Sequence, residues 1–532
     1  MVTAYKKFEY SKIYLIYTLV YAGLIFFNPL LYLYGLEIPK EVFLGTSDGL
    51  DVAMDMKNGR FYPLANVQYN FILNYLEMPI YYCFIYRAIQ FIIFSYIFFR
   101  IGIKFSTTKY TFLSFFILTI TPTFINNWLD YFTVEVELSF LYLILAICLY
   151  KYEKKHNAGY LLIIILIINI AIYLKEIVFV GFALLALVYF TFDKNKNKNK
   201  NYFFGSLLIS ALIFIIIYYI LIYYEFSNLN LPRYGASTNL NYWVMLLKNG
   251  INFIYNDFIL VCLIIILVSQ RLIKINQFGF NFEILNDSLI ILSISYFLSY
   301  LALNIFALNY LLPIYCMLLI PFFQLRLSKK ILISGIIIYV ILLFPLSLNQ
   351  LTARWAGPVN YKASLIFIEN YLNQHQTQNI NIYFDGLSRA PQHRSFAIKY
   401  DRGIELNFAN DLIRNGFYNF DICSELEADS GFSKSGYSDY PISFYNKYNP
   451  TLIKSGDILI VAPHSKNNIT KSYLSNLSVD HELLFSTSNS LVIPNFSLKN
   501  IIKFLLIDGK IGQFMNDKNI ERLPTYYFYK KK

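Results

Sequence analysis

Eleven apolar stretches recur along the first 348 positions, at 13–36, 79–99, 110–126, 136–150, 159–174, 177–192, 203–224, 257–270, 288–305, 309–325 and 331–348. They constrain the fold more than any other feature. A helix needs about 20 apolar residues to cross the hydrocarbon core of a bilayer. Runs such as Leu161–Tyr173, Phe203–Tyr224 and Ile331–Leu348 cannot lie on a soluble surface. Charged residues make up only 15% of the chain, against about a quarter in an ordinary soluble domain. A soluble enzyme, a disordered protein and a disulfide-stapled secreted module are excluded. The expectation is a polytopic α-helical membrane protein with about eleven transmembrane helices. Its first run is too long for the apolar core of a cleaved signal peptide and reads as a signal anchor.

The net charge is +12, and the position of the basic residues says why. Short clusters fall between apolar runs: Lys6, Lys7 and Lys12; Arg100, Lys104 and Lys109; Lys151, Lys154 and Lys155; Lys194 to Lys200; Arg271 and Lys274; Arg326, Lys329 and Lys330. With the N-terminus cytoplasmic, every cluster falls on the inner side, as the positive-inside rule requires. This is not a nucleic-acid stripe. The expected location is the cell (inner or plasma) membrane, multi-pass, with everything after Leu348 external.

Spans five and six are separated only by Lys175-Glu176, so either can be tilted or broken. Trp243–Tyr255 has apolar residues at helical spacing around Lys248 and reads as an interfacial helix. Residues 1–348 form the membrane module. Residues 349–532 have ordinary charge density and read as a small external α/β domain, with a helix at Tyr361–Gln374 and strands at Asn381–Phe384, Asp457–Val461, His481–Phe485 and Ser490–Ile493. A further helix is expected at Leu498–Leu506. Four of the five cysteines lie in apolar runs and Cys423 stands alone outside them. No Cys/His spacing suggests zinc.

Ionisable residues at membrane depth are costly, so each calls for a reason. The first external loop carries Asp48, Asp51 and Asp55 at spacings of three and four, with Gly59-Arg60-Phe61 just beyond. On a helix these acids share a face and repel one another, unless they bind a cation or one holds a proton. A carboxylate there suits a general base acting on an acceptor hydroxyl; the bland alternative is a solvated acidic face. The second external loop adds Asp130, Glu135 and Glu137, the last opening an apolar run. Lys175 at the outer boundary matches a lipid phosphate, with Glu176 balancing it, or is an ordinary snorkelling pair. Arg87, one turn from Gln90 inside span two, needs an anion or a wet cavity. Arg233 and Arg354, near span ends, can fork onto phosphate oxygens.

These residues resemble the C-type glycosyltransferase superfamily over about residues 1–348. The likeness rests on the acidic loop with Asp48 and Asp51, on Gly59-Arg60-Phe61 and on the acidic mouth Trp128–Glu137. It extends to the Tyr173-Leu174-Lys175-Glu176 run and to Asn309-Tyr310-Leu311-Leu312-Pro313, where members frequently carry Arg before Tyr and this chain has Asn309. The resemblance implies an inverting transfer from a polyprenyl-phosphate-linked sugar to a glycan, lipid or protein acceptor. Asp48, or secondarily Asp51, is then the base, and Arg60, Arg87, Lys175, Glu176, Arg233 and Arg354 meet the donor. No cofactor is required, though Asp48 and Asp51 can hold Mg²⁺ or Mn²⁺. A lipid-linked sugar flippase, an O-antigen-type polymerase or ligase, and a membrane anchor for the external domain are the alternatives. The flippase would more often show paired halves and broken helices, and eleven spans are excessive for an anchor.

Overall fold

The computed structural model of the protein describes residues 2–27, 54–55, 60–78, 81–129, 133–193, 197–223, 242–303, 308–325, 334–375 (except 336, 340 and 342), 382–385, 422–424, 443–444, 453–461, 471–487 and 525–532. The chain divides into two compact units, with the main boundary between Ser347 and Leu348.

The first unit is helical. Helix α1 (Val2–Phe26) buries Tyr14, Thr18, Tyr21, Ala22 and Ile25 at helical spacing and exposes Ile13, Leu15, Ile16, Leu19 and Val20. That polarity is inverted relative to a water-soluble helix, because hydroxyls face inward and branched aliphatics face outward. The inward hydroxyls are satisfied: Tyr14 donates to Ser95 O at 2.7 Å, and Thr18 meets Ser95 Oγ at 2.6 Å. Ser95 lies on α3 (Tyr81–Phe105), which follows a short helix α2 (Val67–Asn70). Gly102 of α3 permits close approach to the next helix, since a Cβ there would sit 2.3 Å from Thr111 Cγ2.

The apolar run at 110–126 is expected to be one helix and is two, α4 (Thr108–Thr119) and α5 (Pro122–Trp128). Pro122 cannot continue a helix but suits the first turn of a new one. The Thr121 hydroxyl seals both sides, donating to Leu118 O at 2.7 Å and accepting from Phe124 N at 3.0 Å. Then come α6 (Val134–Lys155), α7 (Ala158–Leu174), α8 (Val178–Phe192) and α9 (Lys198–Tyr218), which closes on a π turn at Tyr219–Tyr223. Lys175 is extended and ends α7, so spans five and six are separate helices. Helix α10 (Tyr242–Phe278) is broken at Asp257, whose backbone is non-helical. Helices α11 (Ile284–Ala302) and α12 (Leu312–Gln324) follow. Among the described residues four helices are long and apolar enough to cross a membrane: Tyr81–Phe105, Lys198–Tyr223, Asp257–Phe278 and Ile284–Ala302.

The second unit holds most of α13 (Phe344–Gln374) and a six-stranded mixed sheet. A separate two-stranded hairpin in the first unit supplies β1 (Met54–Asp55) and β2 (Arg60–Phe61). The sheet contains β3 (Ile382–Asp385), β4 (Ile422–Ser424), β5 (Ser443–Phe444), β6 (Ile458–Val461), β7 (His481–Ser486) and β8 (Tyr527–Lys531), in the order β5-β4-β3-β6-β8-β7. The first four are parallel, while β8 runs antiparallel to both its neighbours. Helix α13 presents Tyr361, Leu365, Ile368 and Leu372 to Ile382, Ile458, Ile460 and Phe528 on one face. On the other, Leu477 of α14 (Lys471–Asp480) packs with Leu459, Val461 and Tyr529. The result is three layers, as an α/β unit demands. Ile368 is fully buried, so Ile368→Ala should cost about 2–5 kcal/mol. The expected strand Ser490–Ile493 and helix Leu498–Leu506 lie outside the described residues. The strand β8, interior to the sheet between β6 and β7, is not anticipated: Tyr526–Tyr529 is aromatic without interruption and shows no alternation to read.

Candidate functional site

Glu135 and Glu137 open helix α6 two positions apart, so their side chains point about 200° apart around its axis. Each therefore finds a different base. Glu137 Oε1 lies 3.3 Å from Arg87 Nη1 of α3, and it accepts from Gln68 Nε2 at 2.8 Å and Tyr69 OH at 3.2 Å. Arg87 is almost fully buried; it also donates to Tyr69 OH at 2.7 Å and to Asn127 O at 2.6 Å, and its guanidinium lies 5.2 Å from the Trp128 ring centre. The anion that Arg87 needs is thus a side chain of the same protein. Glu135 accepts from Lys175 Nζ at 2.8 Å. Lys175 also faces the Tyr310 ring at 4.8 Å, and Tyr310 stacks on Tyr300 with centres 4.1 Å apart. The carboxylate balancing Lys175 in this contact is Glu135; Glu176 is half-buried beside it.

The first loop is fastened to this cluster. Its hairpin pairs Asp55 with Arg60 and Met54 with Phe61. Phe61 packs between Tyr173 and Phe214, at centre distances of 6.1 and 5.9 Å. Leu64 N then donates to Tyr173 O at 3.1 Å, two residues before Lys175. Asn127 ties in the late helices: its amide donates to Thr123 O at 2.8 Å and Asn309 O at 2.9 Å, and its carbonyl accepts from Thr133 at 2.8 Å. At position 309 the structure uses the main chain, for which Asn serves as well as Arg.

Of the residues singled out in the sequence, Arg87, Glu135, Glu137 and Lys175 come together as two ion pairs. Asp48, Asp51, Asp130 and Arg233 lie outside the described residues. Asp55 and Arg60 are register partners in the β1–β2 pair, and Arg354 lies within α13. Among the described residues no group of three or more His, Cys, Asp or Glu is arranged to hold a metal ion. A cation on Asp48 and Asp51 lies outside them.

Sequence reasoning missed Asp257. It is fully buried at the break in α10 and accepts from Tyr315 OH at 2.5 Å and Thr123 Oγ1 at 2.7 Å. Among the described residues it has no basic partner. The signal was available, because Asp257, like Glu137, is an acid that opens an apolar run.

A second charged layer lies at the far end of α6 and draws in the ends of α8 to α11. Arg271 of α10 forks onto Asp287 of α11, with Nε at 2.5 Å and Nη2 at 2.6 Å, and reaches Glu283 at 3.5 Å. Lys274 pairs with Glu283, and Lys200 with Asp193 at 3.1 Å. Glu153, near the end of α6, accepts from Leu285 N at 3.3 Å. Burial acts to raise the Glu283 carboxyl, but hydrogen bonds from Lys274 and Asn286 and the Arg271 and Lys274 charges outweigh it and hold Glu283 below its ordinary value. From Glu135 to Glu153 the helix rises about 27 Å, close to the roughly 30 Å of a hydrocarbon core. Compared with known protein families, with curated proteins and with solved structures, the chain matches none.

Proposed function

We propose that the protein is a multi-pass membrane glycosyltransferase that moves a sugar from a polyprenyl-phosphate donor to a cell-envelope acceptor on the external face. In this reading eleven helices span the membrane, the N-terminus is cytoplasmic and the α/β unit is external. One observation carries the reading. The first loop, the acidic start of α6 and the Lys175-Glu176 run are far apart in sequence, yet Leu64 N bonds Tyr173 O, Gln68 and Tyr69 bond Glu137, and Lys175 bonds Glu135. A transferase needs these parts at one level: a base near the acceptor hydroxyl and a cation near the leaving phosphate.

Asp48 of the first loop takes the acceptor proton, with Asp51 next in line. The hydroxyl attacks the anomeric carbon and polyprenyl phosphate leaves. Lys175 is the cation that meets it, since Lys175 is 8% exposed and Arg87 only 1%. Arg87 instead holds the first-loop residue Tyr69 to α3. An aqueous carboxylate is a weak base, so positioning supplies much of the rate.

The flippase is the second reading, and the helix breaks at Asp257 and Thr121 favour it, because broken helices mark transport sites. Purified protein in detergent micelles separates the two, since micelles have no sides to transport between. A transferase releases polyprenyl phosphate and glycosylates its acceptor. Asp48→Asn should slow this by about a hundredfold or more while donor binding persists. A wild-type protein that binds donor in micelles without cleaving it, yet moves it across liposomes, is a flippase.

A further inference from the structure

Two helices of the first unit are broken, and the breaks meet. Helix α4 ends at Thr119, where the regular i+4 ladder runs out. Phe116 O and Leu118 O keep backbone donors, Ile120 N at 3.2 Å and Thr121 N at 3.1 Å, and each of the last four carbonyls also accepts a hydroxyl. Phe116 O takes Thr119 Oγ1 at 2.9 Å, Ile117 O takes Tyr339 OH at 3.1 Å, Leu118 O takes Thr121 Oγ1 at 2.7 Å, and Thr119 O takes Tyr21 OH at 3.0 Å. This joint is closed, with no carbonyl among the four left for a ligand.

The facing break is at Asp257, and it is closed differently. Asp257 is the N-cap of the spanning half of α10, since its Oδ1 accepts from Leu260 N, three residues on, at 3.4 Å. An N-cap needs one carboxylate oxygen and no charge; serine or asparagine would serve. Burying a full carboxylate without a basic partner is costly, so capping alone is a poor reason for aspartate. The remaining capacity goes to Thr123 on α5 and Tyr315 on α12. Those two helices bear the partners of the outer ion pairs. Helix α5 carries Asn127 and Trp128, which hold Arg87, and α12 follows directly on Tyr310, which faces Lys175.

We infer that Asp257 is a positioning residue, a hydroxyl-gripping lock between the Thr123 and Tyr315 side chains that fixes α5 and α12 beneath the Arg87–Glu137 and Lys175–Glu135 pairs. Its effect on catalysis rests on the transferase reading; its effect on the position of Trp128 does not.

The experiment uses the full chain with Trp243→Phe and Trp355→Phe, leaving Trp128 as its one tryptophan, and compares Thr123→Val, Tyr315→Phe, Asp257→Asn and Asp257→Leu. Thr123→Val and Tyr315→Phe leave the N-cap intact, so they keep the test open if Asp257→Leu fails to fold. The lock requires acrylamide quenching of Trp128 to rise by about twofold or more in Thr123→Val, Tyr315→Phe and Asp257→Leu. It also requires kcat for sugar transfer to fall by about tenfold to a hundredfold with KM little changed, the size expected when reacting groups are displaced. Asp257→Asn, which can still cap but can meet both hydroxyls only with one bond reversed, should recover part of both. If Thr123→Val and Tyr315→Phe quench like wild type, Asp257 is only an N-cap and the inference is overturned. A wild-type protein without transferase activity would remove the kinetic arm and the proposed function, while the quenching comparison would still decide the lock.

Discussion

The two charged layers of the first unit, called outer and inner after the proposed orientation, use the same residue types and are built for different ends. The inner layer has longer reaches to main chain, Lys200 to Phe282 O over 82 residues and Glu153 to Leu285 N over 132. Among the described residues its ion pairs are local: Arg271 and Asp287 are 16 residues apart, Lys274 and Glu283 nine, Lys200 and Asp193 seven. These pairs staple adjacent helices and the turn between them. In the outer layer Arg87 and Glu137 are 50 residues apart, Lys175 and Glu135 40, and Asn127 and Asn309 182. Local pairs close a hairpin at small entropic cost, whereas distant ones must be held by the whole fold. Charges gathered from that far, and buried, are what a site looks like, while the inner layer is a fastening.

That difference is sharpest where a charge is removed. Glu137→Leu leaves Arg87, 1% exposed, without its counter-charge and should cost about 3–5 kcal/mol; Arg87→Met should cost as much by stranding Glu137. Combined, the two should regain most of the loss, because an apolar pair replaces a buried ionic one at little cost. Thermal unfolding in detergent reads all three. No recovery in the double variant would mean that the pair answers to something other than its own electrostatics.

The inner layer should respond less. Arg271→Met strands Asp287, whose side chain is 5% exposed, but Glu283 N still donates to Asp287 Oδ2 at 2.7 Å, so the cost should be about 3 kcal/mol, the low end for a broken buried pair. Activity per folded molecule should be unchanged. A loss of turnover at constant folded fraction would erase the distinction between the layers.

The smallest expected effect is on pH. Glu283 is held below its ordinary value mainly by the Lys274 hydrogen bond acting against burial. Because the folded value is the lower one, the stabilisation is fully present above the ordinary carboxylate range and is lost as pH falls through the lowered value. Lys274 is 54% exposed, so the pair is worth no more than about 1 kcal/mol. Lys274→Gln should shrink the acid-induced fall in unfolding midpoint between pH 6 and 3. An unchanged acid sensitivity would assign that fall to other carboxylates.

Helix positions were largely legible because lipid-facing helices must be apolar over a fixed length, and α3, α6, α7, α8, α9 and α11 lie where the runs lie. The breaks were not. The run 110–126 carries no charge on either side of Pro122, and a proline also occurs in helices that merely kink, so only a Thr121 hydroxyl bonded to both sides shows the chain stopping and restarting. In the site, Arg87, Glu135, Glu137 and Lys175 were individually visible as charges too deep to be idle. Their pairing was not, since no sequence rule tells Glu135 to take Lys175 and Glu137 to take Arg87.

What the sequence determined by itself is the kind of solvent its helices suit: the length and apolarity of its runs match a bilayer, and charges set among them call for partners. Which partners, and whether an acid such as Asp257 caps a helix or grips two others, depended on elements 40 to 182 residues apart meeting in space. A single side chain's cost of burial is written in its chemistry, but the group that offsets it is supplied by whatever the tertiary fold brings within about 3 Å.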